Sequence, residues 1–236
     1  MQHEFFKLPR LYSAEKLENQ NEIILGTEQT HYLKNVLRQK VGHAIRLFDG
    51  QSGEYLFIIY QIDKKQTHLS LKQKIADQPI HQKQIHFLFA PIKKARLDWM
   101  IEKTVELGVT DFHPIITQNT EVRKINEERM TSQILEAAEQ CERFDIPQLH
   151  LIQKLDKKLS GWSSETPLYA AIERFDAQST SSVETPKEFG FLIGPEGGFT
   201  EEEKTALSKA TTAINLGDTI LRCETAAIKA LIQLSE

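Results

Sequence analysis

The residues of this chain best suited to chemistry are Gly194-Pro195-Glu196-Gly197-Gly198-Phe199. Glycines let a backbone take positive φ and approach a ligand closely, and Pro195 stiffens the turn. The stretch follows an apolar run, Phe189-Gly190-Phe191-Leu192-Ile193, that reads as a buried strand. It precedes Thr200-Glu201-Glu202-Glu203, which reads as a helix start, with Thr200 as N-cap and Glu203 closing a capping box. A Gly-rich turn between strand and helix is where an α/β sheet holds a ligand. Its charges narrow the choice. Phosphate wants the bare positive end of a helix, but here Glu196 and the three following glutamates already supply negative charge. No Gly-Lys-Ser or Gly-Lys-Thr follows, and the spacing is not Gly-x-Gly-x-x-Gly, so the phosphate-loop and dinucleotide patterns both fail. A ligand with positive charge and little phosphate fits better, and S-adenosylmethionine, a sulfonium, is one such molecule. The same residues also suit a tight, well-capped turn that holds nothing.

The elements that would position this turn fall into two patterns. Up to residue 75, short apolar runs alternate with turns: strands at Glu22–Leu25, Ala44–Phe48, Gly53–Gln61 and Thr67–Lys72. A short helix is expected over Thr30–Gln39, with Leu33, Val36 and Leu37 on one face, and Asp49-Gly50 is a tight-turn signal. Strands at this spacing suggest a small β-barrel. Residues 75–83 are polar and carry Pro79, as a linker would. Thereafter strands and helices alternate. Strands are expected at Ile85–Ala90, Phe112–Ile116, Leu149–Ile152, Leu168–Ile172, Phe189–Ile193 and Ala213–Gly217. Helices are expected along Leu97–Gly108, after Asn126, from Thr200 to about Lys209, and from about Glu224. Ala177–Pro186 reads as a Ser/Thr-rich loop. This is the pattern of an open, mostly parallel α/β sheet.

Composition sets outer bounds. The 236 residues are 40% hydrophobic and 26% charged, ordinary for a globular protein with a substantial core. No apolar run approaches membrane-spanning length and the N-terminus lacks a signal-peptide pattern. Two distant cysteines, Cys141 and Cys223, fit a reducing cytoplasm, and the eight histidines show no metal-ligand spacing, so no metal is expected. Net charge is −4, but residues 1–75 hold 11 Lys and Arg against 8 Asp and Glu, a balance of +3. Lys83, Lys93, Lys94 and Arg96 follow with no acid between Gln78 and Leu97. Such a region can track a phosphate backbone, or be a solvated face.

Six segments, in register along the chain, resemble one family. They are His31-Tyr32-Leu33-Lys34-Asn35-Val36-Leu37-Arg38, Gly42 through Leu47-Phe48-Asp49-Gly50, Lys103-Thr104-Val105-Glu106-Leu107-Gly108-Val109, Glu136-Ala137-Ala138-Glu139-Gln140-Cys141, Ile193-Gly194-Pro195-Glu196-Gly197-Gly198, and Leu216-Gly217 through Ile220-Leu221-Arg222-Cys223-Glu224-Thr225-Ala226. Together they resemble the RsmE family of 16S ribosomal RNA (uracil-N3)-methyltransferases, within the SPOUT superfamily. The resemblance implies an α/β fold. A small PUA-like RNA-binding β-barrel over 1–75 would be joined by a linker, 76–83, to a SPOUT methyltransferase domain over 84–236. A trefoil knot would span roughly 167–236. It further implies S-adenosylmethionine as cofactor, the small ribosomal subunit as substrate, a homodimer, and a cytoplasmic location.

Carried over residue by residue, the cofactor would contact Ala171, Ile193, Gly194, Pro195, Glu196, Gly197, Gly198, Leu216, Gly217, Ile220, Leu221, Arg222, Thr225 and Ala226. Arg222 and Glu224 would be the catalytic residues nearest the reacting atoms, Arg222 stabilising negative charge on the base and Glu224 or Glu196 taking the proton; Arg222 and Glu224 also suit a structural ion pair at the start of the last helix. RNA would meet Arg10, Lys34, Arg38, Lys40, Lys93, Lys94, Arg96 and Arg143. The chain departs from the family after Pro114-Ile115-Ile116, where an acid-Arg-Ser triplet is replaced by Gln118-Asn119-Thr120. Arg123 or Lys124 is the nearby basic substitute. A methyltransferase of the same superfamily acting on another RNA, and an RNA-binding protein without catalysis, are the competing readings at this point.

Overall fold

The structure, a computed structural model, describes residues 5–80, 83–172 and 186–235. It divides into two compact units. One takes the described residues up to Ile80 together with Ala138–Ile146, and the other takes the rest.

The first unit is a five-stranded sheet in the order β1-β3-β4-β5-β2. Its strands are β1 (Arg10–Tyr12), β2 (Glu22–Leu25), β3 (Ala44–Phe48), β4 (Glu54–Ile62) and β5 (Thr67–Ala76). β1 pairs with β3 in parallel and the other ladders are antiparallel. Leu11, Ile23, Leu25, Ile45, Leu47, Phe57, Ile59 and Leu69 close its core. β5 runs through Ala76, so the segment expected as linker begins inside a strand; residues 81–82 lie outside the described residues.

The expected Thr30–Gln39 helix is displaced. Helix α1 covers Thr27–His31 and continues as a π-helical turn over Tyr32–Val36, closed by the Leu37 N–H donating to Tyr32 O at 3.0 Å. The wider turn keeps Leu33 buried but leaves Val36 58% exposed. Arg38 lies beyond the helix, at φ 54°.

Asp49 ends β3 by organising the turn the sequence signals. Its carboxylate accepts from the Leu17, Gln51 and Ser52 backbone N–H groups at 2.7, 2.9 and 2.7 Å, and from the Ser52 hydroxyl. Burial works to raise its pKa, but these donors together hold it below the usual aspartate value. A carboxylate depressed in the folded state stabilises above its unfolded pKa, and that contribution disappears as pH falls through the folded one. Urea unfolding of wild type should therefore weaken from about pH 5 downward. Asp49→Asn should be less stable at pH 7 and lose less further stability below about pH 5. An unchanged slope would remove Asp49 as a source of the acid sensitivity.

The second unit holds a sheet in the order β12-β10-β11-β6-β7-β8, with β9 also on β7. Its strands are β6 (Gln84–Phe89), β7 (Asp111–Ile116), β8 (Gln148–Leu149), β9 (Gln153–Lys154), β10 (Leu168–Ala171), β11 (Glu188–Ile193) and β12 (Thr212–Ile214). Every pairing is parallel. The helices are α2 (Lys94–Glu106), α3 (Glu127–Gln140), α4 (Leu155–Ser160), α5 (Glu201–Ala210) and α6 (Cys223–Ser235). Burial on α2 follows Leu97, Met100, Ile101, Thr104 and Val105, the spacing of one helical face. Asn126 caps α3 by accepting from the Arg129 N–H at 2.9 Å. The expected Leu149–Ile152 strand is instead split into β8 and β9, because the chain leaves the sheet at Leu151, which is 71% exposed. β12 stops at Ile214, where the Asn215 side chain takes the Gly217 N–H at 2.7 Å and turns the chain. Residues 173–185, which include most of the expected Ala177–Pro186 loop and part of the expected knot, lie outside the described residues. No described helix is long and apolar enough to cross a membrane.

Candidate active site

Three neighbouring parallel strands end side by side. Ala171 closes β10, Ile193 closes β11 and Ile214 closes β12, with Ala171 in register with both others. Beyond these carboxyl ends opens a cavity of about 900 Å³, lined by Ala171–Ile172, Ile193–Phe199, Lys204, Ile214–Cys223 and Ala226. That is where an open parallel sheet leaves room for a ligand. Of the residues the sequence places around a cofactor, all but Thr225 line it. Sequence reasoning missed Ile172, Phe199, Lys204, Ile214, Asn215, Asp218, Thr219 and Cys223. Most are chain neighbours of residues it named; Lys204 could have been found one helical turn beyond the Thr200 cap.

The Gly-rich turn is held from several sides. Gly198 donates its N–H to Pro195 O at 2.9 Å and takes φ 67°, a left-handed conformation that favours glycine. A Cβ on Gly194 would come within 2.5 Å of the Phe199 ring. Thr200 and Glu203 form the expected capping box, and Glu203 also accepts the Gln118 N–H at 2.8 Å. Asn119 Nδ2 donates to Gly197 O at 3.0 Å and to Gly198 O at 3.1 Å. The departure at Gln118-Asn119-Thr120 thus bears on the Gly-rich turn, and Arg123, offered as its basic substitute, donates to Gln118 O at 3.0 Å. Two exposed hydrogen bonds are together worth about 1 kcal/mol. Asn119→Ala should weaken ligand binding in this cavity about five-fold by that energy. Calorimetric titration checks it, with an unfolding midpoint no more than about 4 °C below wild type as control; unchanged affinity would show that the turn holds its shape without Asn119.

The charges around the cavity pair across the fold. Arg96 on α2 donates from Nη1 to Glu196 Oε1 at 2.6 Å, and its Nε lies 3.8 Å from Glu224 Oε1. Arg96, expected on an RNA-tracking surface, is therefore committed to two carboxylates. The alternative Arg222–Glu224 pair does not form: Glu224 faces Arg96, and Arg222 makes no ion pair among the described residues. Arg222 is exposed, lines the cavity, and accepts the Ala226 N–H on its backbone carbonyl at 2.8 Å. Glu224 is not part of the lining, and its Oε2 is buried without a partner among the described residues. Burial pushes the Cys223 thiol up to about 11, with Glu196 and Glu224 adding to the shift, so it stays protonated and is no nucleophile. Neither cysteine is in a disulfide.

The remaining RNA candidates divide. Arg10 is only 8% exposed: its Nε donates to Glu54 at 2.7 Å and its Nη2 to Arg143 O at 2.8 Å, while its guanidinium stacks 3.7 Å from the Phe48 ring centre. It belongs to the core of the first unit, not to its surface. Arg143 is half-buried and paired with Asp145. Lys34, Arg38, Lys40, Lys93 and Lys94 are exposed. Lys34 donates to Asp63 O at 2.9 Å, and Lys93 lies 3.9 Å from Glu121.

Comparison with known proteins agrees with this geometry. A curated protein from Rickettsia conorii, named Ribosomal RNA small subunit methyltransferase E, is 35% identical over 97% of this chain and 95% of its own. One of the same name from Bacillus subtilis is 27% identical over the whole of this chain and 96% of its own. A solved structure of Ribosomal RNA small subunit methyltransferase E from Neisseria gonorrhoeae, bound to S-adenosyl methionine, superposes with a TM-score of 0.88 at 29% identity, covering 97% of each chain. A methyltransferase from Legionella pneumophila in complex with SAM gives the same TM-score, identity and coverage. Residues 25–72 match the RNA methyltransferase PUA domain, and residues 79–235, two thirds of the chain and the whole surround of the cavity, match the RNA methyltransferase domain. A cavity at the carboxyl ends of β10, β11 and β12, walled by the segments that this family model spans, places the chain in the RNA methyltransferase family.

Proposed function

We propose that the protein methylates N3 of a uridine in small-subunit ribosomal RNA, with S-adenosylmethionine as methyl donor. The observation that carries this reading is the cavity at the strand ends, together with its lining. Its volume of about 900 Å³ is that of a pocket for a drug-sized ligand. Apolar side chains and a Gly-rich backbone make most of its wall, and Glu196 and Asp218 stand against Arg222 and Lys204. That balance suits a cationic donor without phosphates better than a nucleotide polyphosphate. The names of the relatives in Rickettsia conorii and Bacillus subtilis support the substrate.

When bound, the donor supplies a methyl group already activated on a sulfonium. The chain has to position and to stabilise charge. We assign the holding of the donor to Gly194–Gly198, Leu216-Gly217, Ile220-Leu221 and the backbone of Arg222. The N3 proton of uracil is weakly acidic and hidden by base pairing, so the base has to be presented unpaired. The N3 proton has to leave, to water or to a carboxylate, and the Arg222 guanidinium stabilises the negative charge that this deprotonation leaves on the uracil oxygens. Glu224 is a positioning residue: it holds Arg96, and Arg96 holds Glu196 on the cofactor turn.

We assign residues 1–75 to a PUA-like RNA-binding domain and 84–236 to the methyltransferase domain, with a trefoil knot from about residue 167. Lys34, Arg38, Lys93 and Lys94 contact phosphates in this reading, so affinity for RNA should fall steeply with salt. A homodimer in a cytoplasmic setting belongs to the same reading, with Trp99 on α2 and Ile232 on α6, 44% and 43% exposed, as apolar side chains that a partner would cover.

The test incubates the protein with methyl-labelled S-adenosylmethionine and small ribosomal subunits from cells lacking N3-methyluridine, then maps the label. Label on N3 of one uridine is the expected result. Label on another base or another RNA would redirect the substrate, and bound cofactor without transfer would make this a binding protein.

A further inference from the structure

At the amino-terminal ends of the parallel strands, away from the cavity, three metal-ligating side chains converge. His86 on β6 sits in register with Asp111 on β7, and His113 follows Asp111 by two residues, so all three share one face of the sheet with Leu88 and Ile115. They are 9%, 7% and 5% exposed. His86 Nδ1 lies 3.1 Å from His113 Nε2 and 3.7 Å from Asp111 Oδ2, and one ligand atom from each lies within 4.8 Å of the others. Zinc bonds of about 2.1 Å in a tetrahedron put neighbouring ligand atoms about 3.4 Å apart, between these two distances. His150 Nε2 stands 2.8 Å from Asp111 Oδ1, and its ring stacks on His113 at 4.0 Å. We propose that His86, Asp111 and His113 bind a divalent transition-metal ion of the zinc type, with His150 as the next nitrogen available to it.

The surroundings are those of a built site. Thr110 Oγ1 donates to Asp111 Oδ2 at 2.8 Å, fixing the carboxylate from outside as a supporting shell does. The edge of Trp162 packs on both His86 and His113, and Gly190 makes room for it: a Cβ there would come within 2.7 Å of the Trp162 ring. Without a metal, Lys158 Nζ donates to His113 Nδ1 at 2.9 Å and His113 Nε2–H can donate to His86 Nδ1. In that arrangement Asp111 Oδ2, 3.7 Å from His86 Nδ1, accepts from Thr110 Oγ1 and, at 3.4 Å, from Gln84 Nε2, while His86 Nε2 lies 3.4 Å from Glu188 Oε1. A metal ion takes the His86 Nδ1 lone pair and Asp111 Oδ2 as ligands in place of the His113 hydrogen. Binding through His113 Nε2 leaves hydrogen on Nδ1, so Lys158, half-buried on the short helix α4, has to give way. Such an ion would staple β6, β7 and the segment after β8.

The experiment uses the full chain dialysed against chelator, titrated with zinc by calorimetry and with cobalt(II) by visible absorption. The expected result is one ion per chain with the d–d bands of a tetrahedral cobalt site. His86→Gln and His113→Gln should each weaken zinc binding at least ten-fold, while His43→Asn, an exposed histidine, leaves it unchanged. Lys158→Gln removes the competing cation and offers His113 Nδ1–H a carbonyl acceptor, so it should tighten zinc binding. This keeps the test open if a histidine variant fails to fold. S-adenosylmethionine binding at the far end of the sheet reports folding separately. No tetrahedral bands in the wild-type chain, or zinc binding indifferent to all three substitutions, would overturn the proposal and leave a hydrogen-bonded core.

Discussion

Replacing Arg222 by alanine should lower methyl transfer by about 10²–10³-fold while leaving S-adenosylmethionine affinity within about three-fold of wild type. The magnitude is that of removing one donor aimed at charge that appears only once the base gives up its N3 proton. Three features of the site lead to this split. Arg222 lines the cavity, it is exposed, and it makes no ion pair among the described residues. Its guanidinium is therefore free to meet an arriving base. Its backbone role, accepting the Ala226 N–H at 2.8 Å, survives the substitution. Arg222→Lys should recover part of the rate, because a point charge replaces a planar fork. Single-turnover rates and calorimetry on the same preparations decide the matter. Equal losses of rate and affinity would make Arg222 a cofactor contact, and unchanged rate would remove it from the chemistry.

Glu54→Ala should destabilise the first unit by about 3–5 kcal/mol, the effect of stripping a buried ion pair of one partner. Glu54 Oε1 sits between two guanidinium groups, 2.7 Å from Arg10 Nε and 3.4 Å from Arg46 Nη1, and all three side chains are at most 7% exposed. Burial works against the Arg10 charge and Glu54 works for it. Arg46 keeps Glu142 at 2.5 Å, but Arg10 would be left with the Arg143 carbonyl alone. Arg10 Nη1 and Arg46 Nε already lack partners among the described residues, so the network has no spare acceptor. Glu54→Gln should cost less, since one oxygen still accepts. The double variant Arg10→Met/Glu54→Leu should be more stable than Glu54→Ala, because it removes the stranded charge with its partner. Urea unfolding measures all three. A loss below about 1 kcal/mol for Glu54→Ala would mean that water reaches the arginines.

The sequence by itself determined the elements and the shape of the cofactor turn. The Phe189–Ile193 strand, the Gly-rich turn and the Thr200–Glu203 capping box all form where they were read, because each is specified by residues within a few positions of one another. The run of residues around the cavity was legible too, through motifs contiguous in the chain. Where a local pattern was ambiguous it misled: the Leu33–Leu37 stripe did not reveal the π-helical turn that exposes Val36. What only the tertiary structure decided is which side chains meet. Asn119 reaches the turn across 78 and 79 positions, Arg96 reaches Glu196 across 100, and Arg10 is drawn into the core by Glu54 across 44. His86, Asp111 and His113 showed no ligand spacing because two strands supply them, and their spacing is set by the β6–β7 register. Partners of this kind are chosen by strand order and register, which depend on the packing of the whole sheet and leave no mark in any short window of sequence.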